Sequence, residues 1–132
     1  MKIENIKFKA KSLDNNGGWV VGSLIRSTTG IKERAYIVDD FNSMSDYSVI
    51  GVDPSTICQF TGLTDCKGKE IWEHDLLQSQ ETKAIYEVVW NDGGFIISDY
   101  VVGVDTMKFL CSALRMRRIK VVGNKYDKED NV

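Results

Sequence analysis

Four consecutive turn formers, Asn91-Asp92-Gly93-Gly94, stand between two stretches of alternating apolar and polar residues. Residues 83–90 place Tyr86, Val88 and Trp90 on one face, and residues 95–102 supply a returning strand. An Asx-Gly pair between such runs signals a tight hairpin, because its central positions favour residues that tolerate positive φ. This part of the chain is therefore expected to be antiparallel sheet.

The same punctuation recurs upstream. Residues 3–10 alternate Ile6, Phe8 and Ala10 with Lys7 and Lys9, which predicts a half-buried strand with a lysine-rich outer face. Lysines suit an edge strand, where they discourage pairing with a stray chain. Asp14-Asn15-Asn16-Gly17-Gly18 is a turn, and residues 19–26 return as the hairpin partner. Thr28-Thr29-Gly30 leads to a short third strand at 34–38. Residues 39–48 are rich in Ser, Asp and Asn and read as a loop, with room for one helical turn through Phe41, Met44 and Tyr47. Pro54 follows an extended run at 49–53. A β-rich N-terminal subdomain over 1–50 and a second subdomain over 51–132 are expected.

Downstream, residues 55–60 read as a strand, 64–68 as a turn and 69–77 as extended chain. Met107, Leu110, Cys111 and Leu114 fall at i, i+3, i+4 and i+7, which predicts an amphipathic helix capped by Asp105 or Thr106. Residues 118–124 form a last strand, and the polar tail from Asp127 is expected to fray. Short strands at close spacing, with one helix before the last, predict an SH3-like β-barrel in the second subdomain of a mainly β protein.

Composition narrows the class. A 42% apolar share over 132 residues is enough for a globular core, and no apolar run approaches membrane-spanning length. The first ten residues lack the apolar core of a secretory signal, so a cytoplasmic protein is expected. Cys58, Cys66 and Cys111 are an odd set without a CxxC pair, which speaks for reduced thiols over disulfides or a zinc site. The net charge of −2 divides into +4 over 1–34, −9 over 35–110 and +3 over 111–132. Basic ends around an acidic middle suit either solvated faces or copies that attract one another. A pI near 5.4 is well below that of a typical nucleic-acid binder.

The densest chemistry lies in residues 59–77. Gly62 and Gly68 mark turns that favour positive φ. Glu70, Glu73 and Asp75 could serve an oxygen-seeking cation, or could accept hydrogen bonds from turn amides. The calcium-loop pattern is missing, and neither cofactor nor metal is expected. His74 is the single histidine, and Cys66 could face it across a turn as a nucleophile. Trp72 and Trp90 either fill the core or line a contact surface. Arg115, Arg117, Arg118 and Lys120 form the best basic cluster, suited to nucleic acid or to another subunit.

Gln59-Phe60-Thr61-Gly62-Leu63, Asp65, Gly68-Lys69-Glu70-Ile71, Glu73 and Asp75 together resemble the hallmark of the YopX family, small proteins of phages and prophages. Further matches are Phe8 and Ala10, Gly22 and Leu24, Tyr36-Ile37, and residues 52–56. Trp90, Asp92 and Phe95, then Val122-Gly123-Asn124 with Tyr126, complete them. The resemblance implies a mainly β fold with an SH3-like C-terminal part, and a structural role for Gln59, Thr61, Gly62, Gly68, Glu70, Asp75, Gly123 and Asn124. Lys11 stands where the family often has tryptophan, His74 where it has glycine, and the tail lacks the family's proline and leucine. The expectation is a non-enzymatic accessory protein that forms homo-oligomers and contacts a phage or host protein. The alternative is a nucleic-acid-binding module using the 115–120 basic face.

Overall fold

A computed structural model describes residues 2–14, 17–28, 30, 32–43, 46–103, 105–116 and 118–127, with backbone alone at 40–43, 46–47, 105–107 and 116. The chain forms two compact units, Met1–Phe60 and Thr61–Val132. The sequence reading divides it at 50/51. The structural division comes later because the strand through residue 50 continues to Val52 and pairs within the first unit.

The first unit opens with a 3-10 turn, Ile3–Asn5, and the strands β1 (Phe8–Lys11), β2 (Trp19–Ser27), β3 (Arg34–Ser43) and β4 (Asp46–Val52). A second 3-10 turn, Pro54–Thr56, precedes β5 (Cys58–Thr64). Asp53 opens that turn by accepting the Ser55 amide hydrogen on its side chain. Residues 39–43 and 46–48 are therefore strand and not loop: β3 pairs with β4, with a register shift between Asp39 and Ser43. Ladder hydrogen bonds override the weak strand propensity of Asp, Asn and Ser there. The helical turn through Phe41, Met44 and Tyr47 is replaced by strand at 41 and 47, and Met44 lies outside the described residues.

The strands assemble antiparallel in the order β4-β3-β2-β1-β5, and β5 runs on into the second unit to pair with β6 (Glu70–Trp72). β1 is consequently an interior strand, not an edge. Its lysines are accommodated by rings: Lys9 and Lys11 lie 4.5 and 4.7 Å from the Trp19 ring centroid, and Lys7 lies 4.7 Å from that of Phe60. Each stem covers aromatic carbon while its ammonium meets the negative face of the ring. The core of this unit is small: Ala10, Ala35, Ile37 and Val52, backed by Val20, Leu24 and Ile57.

The second unit continues with β7 (Asp75–Ser79), β8 (Ile85–Asn91), β9 (Gly94–Asp99), β10 (Asp105–Phe109), α1 (Leu110–Met116) and β11 (Ile119–Asn124). Residues 69–77 are split, because the chain turns at Glu73-His74 between β6 and β7. Asn91 faces Gly94, with Asp92 at φ 50 and Gly93 at φ 83, so the expected two-residue hairpin is formed. The helix is shorter than its apolar spacing predicts. Residues 105–109 pair with β9, so Asp105 and Thr106 belong to a strand and do not precede the first helical residue, Leu110. Tertiary pairing overrides the local period at Met107.

The strand order is β10-β9-β8-β7-β11, an open antiparallel sheet with no closing pair among the described strands. Its inner face buries Ile71, Leu77, Tyr86, Val88, Ile97, Leu110, Ala113 and Ile119. The molecule is thus mainly β, with two antiparallel sheets and one short helix, and the closed barrel expected from the sequence is not formed.

Gly22 marks the point where β2 changes partners. Phe8 lies opposite Gly22, and from Ser23 onward β2 pairs with β3. A Cβ at Gly22 would stand 2.0 Å from the Val38 carbonyl oxygen, a backbone atom that cannot rotate away. Gly22→Ala is expected to lower stability by at least about 1–3 kcal/mol, the scale of forced overpacking. A urea midpoint unchanged from wild type would show that the β2–β3 crossing relaxes.

Candidate functional site

Two of the residues that stand out in the sequence, Asp65 and Asp75, meet on β11. Asp65, only 7% exposed, holds the turn that follows β5. Its Oδ1 accepts the amide hydrogens of Lys67 and Lys69, each at 2.8 Å, and its Oδ2 accepts that of Val121 at 2.9 Å. The turn is further tied by the Cys66 amide, which donates to the Ile119 carbonyl at 3.2 Å. Burial pushes the Asp65 carboxyl up, but the amides of Val121, Lys69 and Lys67, helped by the Lys69 charge, outweigh it and hold it below the usual aspartate value.

A second carboxylate repeats the device at the other end of β11. Asp75 is 2% exposed; its Oδ2 accepts the Trp72 amide hydrogen at 2.8 Å and its Oδ1 accepts Asn124 Nδ2 at 2.9 Å. Asn124 Oδ1 accepts the Tyr126 amide hydrogen, and the Asn124 amide donates to Asp127 Oδ2, both at 2.9 Å. Gly123 sits at the register shift after Val121.

Thr61 joins β5 to β6. Its hydroxyl donates to the Ile71 carbonyl at 2.7 Å and accepts the Leu63 amide hydrogen at 3.1 Å. Gly62 and Gly68 have φ 83 and 82, as expected, although Gly62 lies inside β5 and not at a turn. Gln59 is paired with Phe8 in the β1–β5 ladder, and Glu70 is exposed at the start of β6. Thr61, Asp65 and Asp75 thus satisfy backbone donors and acceptors, the role that short polar side chains take at turns.

His74 follows a different course. It adopts φ 69, where the family's usual glycine would be unstrained. Its amide donates to the Val88 carbonyl at 2.7 Å, and its own carbonyl accepts from Lys125 at 2.9 Å. The ring Nδ1 lies 2.8 Å from Glu87 Oε2, Nε2 lies 3.6 Å from Glu73 Oε2, and the Tyr126 ring stands edge-on at 5.3 Å. Lys125 Nζ adds a contact of 3.9 Å to the same Glu87 oxygen. A histidine between two carboxylates could move a proton, but Cys66 is not placed to use it. Cys66 is bonded to Ile119 and His74 to Lys125, six residues along β11 and its exit, or roughly 15–20 Å of strand. Among the described residues, no three His, Cys, Asp or Glu side chains are grouped to hold a metal ion.

The aromatic and basic candidates separate. Trp72 is buried at 6% exposure, which removes it from any contact surface, whereas Trp90 is 53% exposed with its ring edge-on to Phe95 at 4.9 Å. Phe109, 55% exposed, packs over Gly94 on the opposite face of the same hairpin. Arg115 and Arg118 are exposed, Lys120 is half-buried, and Arg117 lies outside the described residues. Cys58 is buried, but Cys66 and Cys111 are exposed, so only one thiol packs as a small hydrophobe. Neither Glu87 nor the exposed pair Val101 and Val102, whose amides are held by Asp99, stands out in the sequence. Alternation alone makes Glu87 an ordinary outward residue of β8; only its pairing opposite Leu76 brings it to His74.

Two tests follow from this geometry. Asp65 has a lowered folded value, so its stabilisation is complete above the unfolded aspartate value of about 3.9 and is lost as pH falls through the folded value. Asp65→Asn cannot accept the Val121 amide through its Nδ2, and is expected to cost about 1–3 kcal/mol at neutral pH. The gap between the urea midpoints of wild type and variant should narrow on acidification; a constant gap would mean that the carboxylate charge is not what holds the turn. At position 74, Gly and Ala both lose the ring, but only Ala keeps a Cβ at positive φ. His74→Gly should exceed His74→Ala in stability by about 1 kcal/mol, and equal midpoints would show that the turn shifts to relieve the strain.

No match is found among curated proteins. A family model described as YopX protein matches residues 7–130, nearly the whole of the sequence. The matched span takes in the β5–β7 region, both carboxylate ties and β11, and the chain belongs to the YopX family.

Proposed function

We propose that this is an accessory protein of phage or prophage origin that acts in the cytoplasm of a bacterial host through protein–protein contacts, including contacts with its own copies, and without catalysis. The observation that carries this reading is the hairpin tip at 90–94. Trp90 and Phe109 expose more than half of their surface on its two faces, at 53% and 55%. Exposed aromatics clustered beside polar residues are the material of interface centres. The split of charge along the sequence, +4, −9 and +3, favours copies of the same chain as partners. An SH3-like reading of the second sheet is supported by its order, β10-β9-β8-β7-β11, with the short helix just before the strand that returns to β7.

Sedimentation at micromolar concentration, at low and at moderate salt, is the test. An assembly that weakens as salt rises is expected, because exposed ion pairs are screened. A strict monomer in both conditions would defeat the reading, and an oligomer indifferent to salt would remove its charge component. The exposure of Arg115 and Arg118 at the end of α1 supports nucleic acid as a second reading. Binding to random single-stranded DNA that falls steeply with salt, and is lost in Arg115→Ala/Arg118→Ala, would favour it.

A further inference from the structure

A groove of about 460 Å³ lies in the first unit, lined by Leu13, Tyr36, Gly51 and Pro54 with Lys32 and Arg34 at its rim. That volume is in the range that accepts a small molecule or a protruding aromatic side chain. Gly51 lies between the two apolar walls: a Cβ there would make ordinary contact with Leu13 Cδ1 at 3.7 Å and the Tyr36 ring at 4.0 Å. Leu13 is 69% exposed, so apolar surface is offered at the wall. The rim is unevenly charged. Glu33 is already met by Arg26 at 3.3 Å, while Lys32 and Arg34 have no ion pair among the described residues. The groove therefore presents an apolar slot with two cations beside it, and its complement is an exposed aromatic side chain with a carboxylate next to it.

The β8–β9 tip has that form. Trp90 is 53% exposed and Asp92 stands two residues on, at the apex of the turn, exposed and without an ion pair among the described residues. We propose that the groove of one copy takes up the hairpin tip of a second copy, Trp90 entering between Leu13 and Tyr36 and Asp92 meeting Lys32 and Arg34. This rests on the self-association reading and names its two surfaces. The contact joins unlike surfaces, so it is head-to-tail, and the assembly grows beyond a dimer unless a ring closes.

Sedimentation equilibrium of the full chain, wild type and variants, tests the pairing. Trp90→Ala, Arg34→Glu and Asp92→Lys are each expected to weaken self-association about tenfold or more, the effect of breaking a desolvated interface charge or anchor. Lys is tolerated at positive φ in this chain, since Lys83 adopts φ 65. Asp92→Asn, which keeps a turn-forming residue and removes only the charge, should show the same loss with an unchanged thermal midpoint. The combination Arg34→Glu/Asp92→Lys should recover most of the wild-type affinity. Association that persists unchanged in the single variants, or a double variant no better than either single, would overturn the groove-and-tip contact and leave self-association standing. A wild-type protein that stays monomeric would overturn both.

Discussion

A carboxylate taken out of water has to be met by donors, and the second unit is arranged around two that are. Asp65 and Asp75 together accept four backbone amide hydrogens and one side-chain amide. An unpaired carboxylate at such a site would cost several kcal/mol. The consequence is a strict requirement on β11: its amide at 121 and its side chain at 124 must arrive where the central stretch left room for them. No buried side-chain nitrogen or oxygen lacks a partner among the described residues. The polar interior is therefore a specification of register, laid over the apolar core of Ile71, Leu77, Val88 and Ile119. A one-residue slip of β11 would turn Ile119 away from the core and take from Asp65 and Asp75 the donors at Val121 and Asn124.

Sequence and structure agree where the signal is local. The Asp92-Gly93 hairpin, the positive φ at Gly62 and Gly68, and the helix before the last strand all follow from short-range chemistry. They part where partners come from far along the chain. Asp39, Ser43, Asp46 and Ser48 have loop propensities, yet β3 and β4 pair them in a ladder. The lysines of β1 suggest an edge, and only the folded chain shows Trp19 and Phe60 beneath them. The site behaves in the same way. Asp75 and Asn124 are 49 residues apart, and Asp65 and Val121 are 56 apart. Nothing in the spacing of either pair announces contact; the family resemblance marked these residues without saying what they touch.

The two units differ in how they hold themselves together. The first has a small apolar core and draws on the stacking of lysines over rings and on the close approach at Gly22. It also leaves Val21, Ile25 and Val49 more than two-fifths exposed. The second has the larger core and the carboxylate ties, and spends its exposed apolar surface at the hairpin tip and at Tyr100, Val101 and Val102. Exposed apolar surface and structural core are thus kept apart: Asp65 and Asp75 of the family motif lie inside, and the exposed aromatic side chains lie at turns and strand ends.

The position of β11 in the chain bears on how the protein comes to be folded. The strand that satisfies Asp65 and Asp75 is made last, more than forty residues after them, and pairs back to β7. While the chain is being synthesised, β7–β10 can form hairpins in order, but Asp65 lacks its donor from β11 until residue 121 has emerged, and Asp75 until residue 124. The sheet must meanwhile wait with the β7 edge open, the arrangement most exposed to wrong pairing with another nascent chain. Folding of this unit is therefore governed by closure of a long loop, and its rate is set by topology more than by the strength of any single contact.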